Sequence, residues 1–190
     1  MEKKEESIRL FIAVILPEDI RHELVSLQKS LPQSNLKIVW VPLENLHLTV
    51  VFLGDTPFSK VAKVKEAMNE ACAKFKVFAT HVKGVGTFGW SANPRVVWAG
   101  LEHPSFGLLN TRLVEFLKKN DVSFDEKTFS PHISLGRIKD AGNVRDFMNS
   151  ISKFKEKDFG AVSVDNVVLF RSHHSSKGST YEEIHRVTLT

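Results

Sequence analysis

Cysteine is almost missing from this 190-residue chain, in which Cys72 stands alone in a helix-like stretch. One thiol cannot close an internal disulfide, so a disulfide-stapled secreted scaffold is excluded and a reducing cytoplasm is the expected location. Long apolar runs are missing as well. None approaches the roughly 20 residues that a membrane-crossing helix needs, and the start MEKKEESIRLFIAV is too charged, with too short an apolar run, for a signal peptide. Low-complexity segments and linkers are absent. Gly84-Val85-Gly86 lacks both the third glycine and the following helix of a dinucleotide fingerprint. A large charge of one sign is also lacking. The net +4 weakly favours a polyanionic or phosphate-bearing partner, but it suits an ordinary soluble protein better. What is present is core material: 42% hydrophobic residues, with 14 phenylalanines, are enough for one domain or two lobes sharing a core.

Periodicity divides the chain into strands and helices. IRLFIAVIL (8–16) reads as a buried strand. Pro17 then opens a helix with Glu18 and Asp19 in its first turn and a stripe of Ile20, Leu24, Leu27 and Leu31. A strand from about Leu46 to Leu53 is followed by a helix from Ser59 to Phe75 and by strands at 78–89 and 94–102 around a turn at Ser91 to Pro94. The second half repeats this order: a helix at 104–119, the strand HISLGRI, a short helix at 143–154, and strands at 159–172 and 180–190. Each half thus reads helix, His-bearing strand, helix, strand, strand. The expected fold is α+β: a bilobal duplicated unit with two antiparallel sheets around a central cleft, helices outside and pseudo-two-fold symmetry. One domain spans 1–190, with lobes at about 40–102 and 125–190, and with 1–39 and 103–124 packing across. The turns between paired strands are too short for parallel crossovers.

HLTVVFLGD (47–55) and PHISLGRIKD (131–140) repeat one phrase. Alternate strand side chains share a face, so His47 lies with Thr49 and His132 with Ser134, while Leu48, Val50, Ile133 and Leu135 turn inward. One such pair would be unremarkable; two in equivalent places of a duplicated unit converge on one cleft. In-line displacement at phosphorus needs a proton removed on one side and supplied on the other. Two imidazoles, with an ordinary pKa near 6.5, match that demand at neutral pH. The hydroxyls of Thr49 and Ser134 can donate to non-bridging phosphate oxygens. Histidine also binds metals, but neither phrase holds a carboxylate or cysteine at ligand spacing, so no metal site is expected.

These motifs, together with RLFIAVILPEDI, FGWSANPRVVWAG and LFRSHHSSKGSTYEEIHRVTL, resemble the two-histidine phosphoesterase superfamily over nearly the whole chain. Within it the sequence is similar to the RNA 2′,3′-cyclic phosphodiesterases, also called 2′-5′ RNA ligases. The resemblance implies a bilobal fold with a concave cleft and hydrolysis of RNA 2′,3′-cyclic phosphate ends to 2′-phosphomonoesters. It also implies reversible, ATP-independent 2′-5′ joining of tRNA halves. It implies His47 as proton donor to the leaving 3′ oxygen, His132 as the acceptor that activates water, and no metal or nucleotide cofactor. A monomer is expected. Ser134 stands where threonine is common. Arg137 matches a family arginine expected to contact phosphate, yet its parity is opposite to that of His132 unless a bulge near Gly136 re-aims it.

Around these motifs, Arg95 could bind phosphate and Phe88 or Trp90 could stack on a base. Trp98 reads better as a core aromatic, and Trp40 as either cleft lining or packing. His173 and His174, near Arg171 and Lys177, read as a solvated loop. His22, His81, His103 and His185 have no partner that sequence can name. Two other functions stay open: a non-catalytic binder of phosphorylated or 2′-5′ linked RNA, and a phosphodiesterase for another substrate, such as a cyclic phosphate on ADP-ribose or a 2′-5′ oligonucleotide.

Overall fold

The apolar run near the start forms β1 (Ser7–Ile15) in the middle of a sheet, hydrogen-bonded to a strand on each side. Leu10, Ile12 and Val14 enter the core, and Phe11, on the opposite face, is covered by Phe170 and Tyr181. In this computed structural model, which describes residues 6–32, 36–141, 144–176 and 178–190, the chain continues through α1 (Glu18–Ser30), β2 (Leu36–Trp40), β3 (His47–Pro57), α2 (Val61–Cys72), β4 (Phe78–Trp90) and β5 (Asn93–Leu101). It then forms α3 (Pro104–Lys119), β6 (His132–Ala141), α4 (Arg145–Ser152), β7 (Asp158–Val164), β8 (Asn166–Ser175) and β9 (Gly178–Thr188). α1 buries the stripe its spacing predicts, Ile20, Leu24 and Leu27, and α3 buries Phe106, Leu109, Leu113 and Leu117. His103 caps α3 by accepting a hydrogen bond from the Ser105 amide.

The strands run β7-β4-β5-β6-β3-β1-β8-β9, and β2 adds to β6. The pairings are antiparallel, and four strands of that order stand on each side of the β6/β3 seam. The two expected sheets are joined into one, because β3 and β6 meet at a single pair, Leu48 opposite Ile133. Both side chains are fully buried in a core shared by all four helices.

The two stretches expected as lobes each supply strands to both sides of the seam. Residues 40–102 supply β3 to one half and β4 and β5 to the other, while 125–190 supply β6 and β7 to one and β8 and β9 to the other. The run 159–172, which reads as one strand, is two strands in opposite halves of the sheet. β7 pairs with β4 and β8 pairs with β1. The polar pair Asp165–Asn166 breaks the run; the Asn166 amide bonds the Asp165 side chain, and the Leu189 amide bonds the Asp165 carbonyl. Strand β2 is not among the elements expected from periodicity. Its edge position leaves Lys37 and Val39 exposed, so its apolar signal is short.

Candidate active site

Strands β3 and β6 carry the repeated phrase, and their seam brings the two copies together. Leu48 faces Ile133 on the core side, and continuing that antiparallel register sets His47 beside Ser134 and Thr49 beside His132 on the open face. Four predicted site residues thus form one patch.

Both imidazoles are held in the same way. His47 Nδ1 lies 2.7 Å from the Asn45 carbonyl, and His132 Nδ1 lies 2.8 Å from the Ser130 carbonyl. A carbonyl can only accept, so each ring carries its proton on Nδ1 when neutral and leaves Nε2 for chemistry. His47 Nε2 is 3.0 Å from Thr49 Oγ1, whose hydroxyl donates to it. Sequence reasoning missed Asn45. Its side chain is buried and donates to the Ser179 carbonyl at 2.7 Å, tying the residue that orients His47 to β9. A lone Asn before a motif has no readable signal for this role.

Aromatic rings wall each imidazole. Phe11 stacks on His47 with centroids 4.9 Å apart, and Tyr181 meets His47 edge-on at 5.3 Å. Phe88 meets His132 edge-on at 4.8 Å and leans on Trp98 at 5.5 Å. Phe11 and Tyr181 escape sequence reading because they lie far from the motif in the chain. Desolvation by these walls lowers the His47 pKa from 6.5 to about 4. The Asn45 carbonyl pulls it back up, and the nearby His132 charge lowers it further. Burial pushes the Tyr181 hydroxyl up, and the positive charge of Arg137 pulls it down.

Arg137 does share the open face. Opposite β5, Trp98 pairs with Ser134 and Val97 with Gly136, which leaves Leu135 as an extra residue. Burial records the resulting switch: Ile133 and Leu135 are inside, then Ile138, while Arg137 is exposed. The remaining candidates separate. Phe88 reaches the site. Trp90 sits at the β4–β5 hairpin tip, 86% exposed. Arg95 is the unpaired residue of a bulge at the same exposed strand end. Trp98 pairs with Ser134 and is half-buried, whereas Trp40 lies over Gly136 against the core. The other histidines have partners of their own: His22 with Glu18, His81 with Asp158, His173 with Glu182, His174 with Ser179 and His185 with Asn69. His173 and His174 stand on β8 rather than in a loop; Lys177 lies outside the described residues.

A cavity of about 560 Å³ opens beside the patch, lined by Thr49, His132, Asn110, Lys118, Phe124 and Phe129 among others. Among the described residues, no three His, Cys, Asp or Glu side chains gather into a group that could hold a metal ion, and no helix is long and apolar enough to cross a membrane.

An open antiparallel sheet that presents two imidazole–hydroxyl pairs to one cleft has the form of a two-histidine phosphoesterase. The family model described as LigT like phosphoesterase matches residues 14–98. A protein named RNA 2′,3′-cyclic phosphodiesterase from Methanocaldococcus jannaschii is 32% identical over 183 residues, covering 93% of this chain and 98% of the relative. Among solved structures, TT0787 of Thermus thermophilus superposes with a TM-score of 0.81 at 28% identity, covering 96% of this chain and 98% of that one. E. coli LigT complexed with 3′-AMP gives 0.74 at 26% identity, covering 97% and 99%. The chain belongs to the LigT-like phosphoesterase family.

Proposed function

We propose that this protein opens 2′,3′-cyclic phosphates at RNA ends to 2′-phosphomonoesters by acid–base catalysis between His47 and His132, without a metal. The observation that carries this reading is the convergence of the two imidazole–hydroxyl pairs at the β3/β6 seam. The chemistry named in its relatives supplies the substrate class. In this reading Thr49, Ser134 and Arg137 hold the non-bridging oxygens. His132 takes a proton from water, and His47 gives one to the leaving 3′ oxygen. His47 is neutral in the free cleft at pH 7, since its pKa is about 4. The donor role therefore requires the anionic phosphate to raise that pKa on binding. The depressed value is also the one observation that favours exchanged roles, with His47 as acceptor and His132 as donor.

The cavity beside His132 has room for far more than a water molecule. A nucleoside 5′-hydroxyl held there would replace water as nucleophile, which gives 2′-5′ joining of RNA ends such as tRNA halves with no ATP. The working unit is proposed to be a monomer.

The test is product analysis on a defined RNA ending in a 2′,3′-cyclic phosphate. A 2′-phosphate product is expected, unchanged in chelator, with kcat lowered roughly 10²- to 10⁴-fold in His47→Ala and His132→Ala. Activity lost to chelator and restored by zinc, or indifferent to both variants, overturns the reading.

A further inference from the structure

Gln28 is a buried polar side chain on α1, only 5% exposed, and the mechanism above does not use it. Its Nε2 donates to two carbonyls at once, Val41 and Leu135, each at 2.9 Å. A third bond joins the same two residues, from the Val41 amide to the Leu135 carbonyl at 2.8 Å. Leu135 is the extra residue of the β6 bulge, the point where the strand's alternation reverses. Without that bulge, alternation would turn Arg137 into the core, and with it Arg137 shares the face of His132 and Ser134.

We propose that Gln28 is a positioning residue: by clamping the Leu135 carbonyl from beneath the sheet it fixes the bulge that holds Arg137 on the catalytic face. A bulge leaves strand groups without their regular partners, so a competing register in which Leu135 pairs with β5 is the natural alternative. The amide opposes that alternative because regular pairing would take the Leu135 carbonyl from one Gln28 N–H and leave a buried donor unpaired in an apolar core. The distance between the partners supports a tertiary role, since Gln28 and Leu135 are 107 residues apart in the chain. Arg137 is felt electrostatically at Tyr181, which packs on His47, so its placement bears on both halves of the cleft. The inference rests on the reading of Arg137 as a phosphate contact.

A double-mutant cycle tests both parts. Rates on a 2′,3′-cyclic mononucleotide are measured for wild type, Gln28→Met, Arg137→Ala and the double variant, normalised to the folded fraction by circular dichroism. Gln28→Met is expected to lower kcat/KM about tenfold or more, the scale of a misplaced contact, and to have almost no further effect once Arg137 is alanine. The pH profile should keep its limbs, because the histidines are held by other carbonyls. Gln28→Asn, too short to span both carbonyls, should reproduce Gln28→Met if the latter folds poorly. A Gln28→Met loss of equal size with and without Arg137 means a merely structural residue and overturns the proposal. If Arg137→Ala itself hydrolyses at the wild-type rate, the phosphate-contact reading fails first and the positioning role falls with it.

Discussion

The His47 pKa links packing to chemistry and can be measured directly. Burial lowers it from 6.5 to about 4. At about 1.36 kcal/mol per pH unit, protonating His47 in the folded protein is harder by roughly 3 kcal/mol than in the unfolded chain. The folded value is depressed, so the neutral ring's contribution to stability is complete above pH 6.5 and drains away as pH falls toward 4. Most of that loss lies between pH 7 and pH 5. Over this interval wild type should lose about 2 kcal/mol more stability than His47→Gln, which cannot titrate. Urea unfolding at the two pH values gives this difference, and an NMR titration of the His47 ring gives the midpoint itself. Adding inorganic phosphate should then move the midpoint up toward neutrality. Equal pH dependence in wild type and variant would refute the desolvation argument. A midpoint below 5 in the presence of bound phosphate would refute His47 as donor and exchange the two roles.

Three further outcomes are expected. Leu48→Ala removes a fully buried side chain at the one pair joining the halves; urea unfolding should show a loss of roughly 2–5 kcal/mol, and kcat should fall further than in Leu113→Ala, which is equally buried but away from the seam. Gly86→Ala would drive a Cβ into the Trp98 ring, so thermal melts should show a cost of about 1–3 kcal/mol, relieved when Trp98→Leu is added. Trp90→Ala, at an exposed hairpin tip, should change stability by less than about 0.5 kcal/mol. The same variant should raise KM for an RNA oligonucleotide more than for a mononucleotide, and equal KM changes would remove Trp90 from the base-stacking role.

The local elements were legible because each rests on short-range spacing. The stripe of α1, its opening at Pro17 and the alternation of HLTVVF and HIS are set by which residues lie two, three or four positions apart. The duplicated phrase by itself also points to His47, Thr49, His132 and Ser134. Strand partners were not legible, since pairing depends on which apolar faces meet across the core. That is why one apparent strand at 159–172 is two, in opposite halves of the sheet, and why the stretches 40–102 and 125–190 each supply strands to both halves. Arg137 shows the division most clearly: sequence parity turned it inward, and a bulge held by Val41 and Gln28 turns it out. By itself, the sequence determined the α+β class and the two imidazole–hydroxyl pairs, because both follow from local periodicity. Only the tertiary structure decided the single seam, the aromatic walls of Phe11, Tyr181 and Phe88, and the lowered His47 pKa, because desolvation is a property of neighbours brought together from distant parts of the chain.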